Sequence, residues 1–242
     1  MHEVISLLIN RYDFFLQLLW EHIEISLSAS IIAIIIGGLL GVLIHEYKRL
    51  SGPVMLIVNF LYTIPSISML GLLLYASGVG NTTAIIALVI YALLPMVRNT
   101  FTGLDQIKSD MREAGIALGL TRLQRLWNIE IPLAMPTIMA GIRTMLVMTI
   151  ALTGIASFIG AGGLGVAIYR GITTNQSALT IAGSVLIALL AVVVDTLFSL
   201  GERVTRISPH MKRYTIIFLS AMTLIAMAVG GWSLYCRHVK AD

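Results

Sequence analysis

Charge is scarce in this 242-residue chain: Asp, Glu, Lys and Arg together make up 12% of it. A soluble domain carries about 25%, and half that figure leaves too little polar surface to cover a globule in water. Cysteine is scarcer still. The single thiol, Cys236, excludes an internal disulfide and any cysteine-rich metal site. No Gly-Lys-Ser or Gly-Lys-Thr occurs, so the chain carries no phosphate-binding loop of its own. Aromatics, at 7%, are too few for a tight internal cage. The five histidines, at 2, 22, 45, 210 and 238, show no metal-ligand spacing. Nor does any strand-like alternation suggest a membrane barrel.

What is present is apolar: 57% of residues, with a mean hydropathy of +0.92. A span needs roughly 20 apolar residues to cross about 30 Å of hydrocarbon. Six stretches qualify, at about 23–44, 53–76, 79–97, 133–156, 178–200 and 214–235, interrupted by charge only at Glu24, Arg143 and Asp195. Backbone groups in lipid must be satisfied within their own segment, so these stretches read as helices. The expected fold is an all-α polytopic membrane bundle of about six transmembrane helices. The net charge of +4 does not indicate nucleic acid, because the cations lie between spans and not on one soluble face. Membrane lipid is the expected surrounding. Residues 1–22 contain Glu3 and Asp13 and lack the basic start of a signal peptide, so they read as a retained amphipathic lead-in.

The cations also orient the chain. Eleven lie in segments 45–52, 98–132 and 201–213, against four on the other side (Arg11, Arg170, Arg237 and Lys240). This split places the 98–132 loop in the cytoplasm and both termini outside. Of the outward segments, 158–177 is dense in glycine, with Gly160, Gly162, Gly163, Gly165 and Gly171, which suits a re-entrant or tightly folded backbone.

The long loop carries the most information. Arg112–Leu118 can form one or two helical turns, Gly119 breaks them, and Leu120–Ile129 can form a second helix closed by Pro132 before the fourth span. Glu113, Arg122, Gln124 and Arg125 are expected to face outward from Leu118, Leu123, Leu126 and Trp127. A short helix with a polar rim and an apolar face is suited to a groove in another protein.

That loop resembles the signature of ATP-binding-cassette importer permeases: Glu-Ala-Ala, three residues, Gly, nine residues, Ile, one residue, Leu-Pro. Glu113, Ala114, Gly119, Ile129 and Pro132 match it, whereas Gly115 stands for Ala and Ile131 for Leu. Gly115 weakens its helix by up to about 1 kcal/mol, leaving it more dependent on its partner. Ile64-Pro65-Ser66, Tyr91 to Thr100, Ala140 to Thr144 and Ile159 to Gly165 resemble the permeases for glycine betaine, choline and carnitine. The likeness covers roughly 20–205, a permease domain of 23–205 followed by an additional helix and tail at 206–242. It implies the type I importer permease fold in a bacterial inner membrane, with the cytoplasmic loop as a coupling helix–turn–helix. It also implies a dimer of cytoplasmic ATPases that binds ATP and Mg, a second permease subunit (identical or paralogous) and an external substrate-binding protein. The chain itself would then be no enzyme and hold no cofactor.

Within the spans, Arg143 and Asp195 both fall roughly 12–17 Å from the loop side at about 1.5 Å per residue. They are candidates for a buried ion pair that braces the bundle or gates it. Pro65, Pro95, Gly160, Gly162, Gly163 and Gly165 are candidate breaks along a translocation path. Tyr62 and Tyr91 are candidates to line it, since aromatic faces attract quaternary amines. Gly160-x-Gly162-x-x-Gly165 also satisfies a dinucleotide-binding pattern, but it lacks the strand and helix that pattern needs. Rival readings are a permease for methionine or another amino acid, an ion-coupled transporter and a non-transporting scaffold. The ion-coupled reading calls for paired intramembrane carboxylates in matching halves, and the spans offer only Glu24 and Asp195.

Overall fold

The computed structural model describes residues 2–207, with side chains to Leu200, and all of its regular elements are helices. They are α1 (His2–Asn10), α2 (Tyr12–Glu46), α3 (Ser51–Thr63), α4 (Ser66–Ser77), α5 (Asn81–Asp105) and α6 (Ser109–Ala117). After these come α7 (Arg122–Arg125), α8 (Ile131–Ala156), α9 (Gly165–Thr173) and α10 (Ser177–Ile207). The chain up to Phe198 forms one compact unit. Among the described residues four helices are long and apolar enough to cross a membrane, or five if the bent pair α3–α4 counts as one span. The stretch expected at 214–235 lies outside the described residues.

Helix α2 is longer than the sequence suggested. Its 35 residues begin at Tyr12, so most of the second half of the expected lead-in belongs to the same rod as the first span. Only α1 stands apart, separated at Arg11, where φ −125° and ψ 35° leave the helical region. The second expected span is bent by 98° between Thr63 and Ser66. Pro65 is the cause: its ring drives the preceding residue out of the helical region, and Ile64 accordingly takes ψ 128°.

Helix α5 sits at the centre, packed against α2, α3, α4 and α8. Close approach to α2 depends on Gly37 and Gly41, one turn apart. A β-carbon at Gly41 would lie 2.5 Å from the Thr100 β-carbon, and one at Gly37 would lie 2.8 Å from that of Met96. This is the small-xxx-small spacing that lets membrane helices touch backbone to side chain. Buried hydroxyls are handled locally. Ser26, Ser30, Thr149 and Thr153 each donate to the carbonyl one turn earlier, at 2.7–2.8 Å.

The loop also departs from expectation. Its first helix and the left-handed Gly119 (φ 71°) are present. Its second helix, however, does not stop before the fourth span. Helix α7 runs through a π-helical turn, Leu126–Glu130, straight into α8, so that 122–159 form one 38-residue rod. Pro132 lacks an amide donor and crowds the carbonyl four residues back. The wider turn just before it absorbs that mismatch without ending the helix.

Candidate functional site

Two polar clusters occupy opposite ends of the bundle: one under the 109–130 loop, the other around the glycines at 160–165. At the loop end, α6 rests on α7 and the π-helical turn. Gly115 is buried there, and a β-carbon on it would lie 3.0 Å from Ile129 Cδ1 and 3.2 Å from Arg125 Cγ. The departure from the Glu-Ala-Ala pattern at 115 thus falls at the helix contact. Thr121 and Gln124 close a capping box at the start of α7: the Thr121 hydroxyl accepts from the Gln124 amide, and the Thr121 amide donates back to the Gln124 side chain.

Glu130 lies beneath this arrangement with 1% of its surface exposed. Its carboxylate accepts from Arg125 Nε at 2.8 Å and from His45 Nε2 at 3.2 Å, and Arg112 Nε stands 3.9 Å away. Arg112 in turn donates to the Leu104 carbonyl at the end of α5, at 2.7 Å. Closer to the surface, Arg122 pairs with Glu46 and lies 5.9 Å above the Tyr47 ring, while Lys48 pairs with Asp105. Donor atoms of His45, Glu46 and Glu130 approach within 4.8 Å of one another. Their carboxylates already hold guanidinium groups, so the trio has little charge left to offer a cation.

On the outer face of the loop Glu113, Arg122 and Gln124 are exposed as expected, but most of the apolar residues are exposed with them. Leu118, Leu123 and Trp127 are 77%, 68% and 63% exposed, and Ile116 and Met111 join them. Arg125 and Leu126 turn inward instead. Of the signature residues, Glu113 and Ala114 lie on the exposed side of α6, Gly119 makes the turn, Ile129 packs toward Gly115, and Pro132 is half-buried at the head of α8. The result is an apolar ridge with Glu113 on the same short helix, a surface of the kind that marks a protein contact.

At the other end the glycines are clamped. The amides of Gly162, Gly163 and Leu164 donate to Asn81 Oδ1 at 3.1 Å, Glu21 Oε2 at 3.1 Å and His22 Nδ1 at 3.3 Å. The other nitrogen of His22, Nε2, donates to the Ile150 carbonyl at 2.9 Å. Both faces of that fully buried ring are therefore satisfied, and its tautomer is set. Gly160 (φ 79°) and Gly163 (φ 94°) adopt left-handed backbone, and a β-carbon on Gly165 would sit 2.0 Å from the Gly154 carbonyl oxygen.

The remaining candidates lie between these ends. The Pro65 break frees the Ile64 carbonyl, and the buried Tyr91 hydroxyl donates to it. Tyr62 meets Tyr91 edge-on, with ring centroids 6.0 Å apart, and is 41% exposed. Pro95 lies inside α5, where its carbonyl accepts from Asn99 Nδ2 at 2.7 Å. Arg143 on α8 and Asp195 on α10 form a bidentate pair, with Nη2 donating to Oδ2 at 2.6 Å and Nε to Oδ1. Sequence reasoning missed Glu21, His22, His45, Asn81 and Glu130. The one available signal was an acid at 130 set among apolar residues of the loop pattern. The others acquire their roles only through distant partners.

The family model for the binding-protein-dependent transport system inner membrane component matches residues 30–207. The chain belongs to that family. It is 43% identical over 199 residues to the permease protein OpuCD of the glycine betaine/carnitine/choline transport system of Bacillus subtilis, covering 82% of this chain and 86% of the relative. The osmoprotectant import permease protein OsmW of Salmonella typhimurium is 42% identical over 200 residues, covering 81% and 93%. Among solved structures, the inward-facing MetNI methionine ABC transporter superposes with a TM-score of 0.70 at 23% identity, covering 76% of this chain and 93% of that one. That likeness concerns the fold: an importer permease bundle.

Proposed function

We propose that this chain is the membrane permease subunit of an ATP-driven importer for osmoprotectants of the glycine betaine, choline and carnitine class. The apolar ridge on α6 and the exposed edge of α7 carries this reading: a loop signature shared with importer permeases, folded so that its apolar residues point away from the bundle. Identity of about 40% to osmoprotectant permeases across more than four-fifths of the chain supports the substrate class. The methionine transporter, at 23% identity, speaks to fold and not to cargo.

In this reading the ridge seats in a cleft of a cytoplasmic ATPase, which binds ATP and Mg. Closure of the ATPase dimer draws two 109–130 loops together, one from this chain and one from a second permease subunit. The bundle then opens outward to an external binding protein, and hydrolysis returns it. The loop end lies in the cytoplasm and the glycine end outside, as the eleven-to-four split of cations favours. The membrane is the bacterial inner membrane. The Arg143–Asp195 pair braces α8 against α10, and the α3–α4 bend with Tyr62 and Tyr91 borders the path.

The test is to purify the chain with its ATPase and binding protein and to measure ATP-dependent uptake of labelled betaine, choline and carnitine. Glu113→Lys should weaken ATPase retention and abolish uptake. Uptake that follows an ion gradient without the ATPase would refute the importer reading. ATP turnover with none of the three compounds moved would refute the substrate class alone.

A further inference from the structure

We propose that Glu130 and His45 form the joint through which movement of the 109–130 loop reaches helix α2, with Glu130 as its positioning residue. The proposal rests on the coupling-loop reading above.

Four elements meet at this carboxylate. Glu130 itself rides on the π-helical turn at the head of α8. Arg112 comes from α6, Arg125 from α7 and His45 from the last turn of α2. Arg112 also grips the end of α5 through the Leu104 carbonyl. Helix α6 has a second hold on the same point, because Gly115 packs against the methylenes of Arg125, whose guanidinium holds Glu130.

Burial is what makes this joint transmit. The Glu130 side chain is 2% exposed and that of His45 5%, whereas Lys48 and Asp105 are about half in solvent, at 52% and 45%. An exposed pair can separate into water at little cost. A buried carboxylate that loses a partner is left with an uncompensated charge, which is strongly unfavourable. Displacement of α6 and α7 therefore carries Glu130 with it, and His45 carries the end of α2. The exposed pairs at the same end can break and re-form as the loop slides.

His45 offers the cleaner test, because replacing it leaves the guanidinium partners of Glu130 in place. In proteoliposomes containing the full complex, the quantity to read is uptake per ATP hydrolysed, using whichever of labelled betaine, choline or carnitine the complex imports. His45→Leu should lower that ratio about tenfold while the ATPase still co-purifies at wild-type yield, the size expected for loss of a coupling interaction. His45→Gln, which restores a hydrogen-bond donor, should recover most of the loss, and Glu130→Gln should behave like His45→Leu. Because the ratio is taken on assembled complex, poor folding lowers yield without mimicking the effect. An unchanged ratio in both His45→Leu and Glu130→Gln would overturn the proposal. So would a lowered ratio that His45→Gln does not rescue. Glu113→Lys run alongside separates the two ideas: if it leaves ATPase retention and uptake intact, the coupling-loop reading itself fails.

Discussion

The two ends of this bundle solve the same problem with different chemistry. Each must attach an irregular segment to α2 and α5. At the glycine end the attachment is steric and made through the backbone: amides enter fixed side-chain acceptors, the Glu21 carboxylate among them, and glycines let backbones approach to distances no other residue allows. At the loop end it is ionic and mostly made by long side chains, with Arg112, Arg122, Arg125 and Lys48 reaching to Glu130, Glu46 and Asp105. Close packing tolerates almost no displacement. At the rim the exposed Arg122 and Lys48 arms can follow a moving partner through several rotamers, while the buried Glu130 keeps its partners with it. The difference teaches which end is built to hold still and which to move.

Substitutions can break this contrast, and the largest effect is expected where nothing can relax. Gly165→Ala places a β-carbon 2.0 Å from the Gly154 carbonyl oxygen. A clash with backbone should destabilise the chain by about 3 kcal/mol or more, read as loss of the monodisperse peak in detergent. A normal elution profile and melting temperature would show that the glycine end is looser than the 2.0 Å approach requires. His22→Leu should come next, at about 2 kcal/mol, because it strands the Leu164 amide; the readout is a thermal shift in detergent. The substitution should also raise hydrogen exchange across 162–166, and protection unchanged there would remove His22 from the clamp.

The loop end should respond more gently at its rim. Lys48→Met removes an exposed pair and should cost about 0.5 kcal/mol or less. High salt should mimic it by screening both rim pairs while leaving exchange at the glycine end unaltered. Equal salt sensitivity at the two ends would erase the comparison. Smallest of all should be Gly115→Ala. Helix propensity favours alanine by up to about 1 kcal/mol, while the new β-carbon presses on the Ile129 terminal methyl, which can yield, and on the stem methylenes of the anchored Arg125. The two effects should cancel to within about 0.5 kcal/mol, measured by the same thermal shift.

Much of this contrast was visible along the chain, but unevenly. The glycine cluster at 160–165 announced a tight backbone, and Gly119 announced the loop turn, because each requires conformations that other residues avoid. The Gly37-x-x-x-Gly41 spacing was equally legible as a helix contact and passed unread. The bend at Ile64-Pro65 could be suspected from proline alone, yet its angle depends on how α4 packs against α5 and α8. The loop face departs from its periodicity in part, at Arg125 and the exposed leucines, for a specific reason. Periodicity assumes that a helix turns its apolar side inward, and here the inward side is occupied by Arg125 and Arg112 serving a buried acid. His22 and His45 looked like scattered histidines because their partners, Leu164 and Glu130, lie 142 and 85 residues away.

By itself the sequence determined that this protein is an all-helical membrane chain with a signature loop, since apolar run length, cation placement and motif spacing are local properties. Only the tertiary structure decided which side chains hold the two ends. A buried amide or carboxylate in a low-dielectric interior must find a partner wherever the fold brings one, and that partner has no fixed place in the chain.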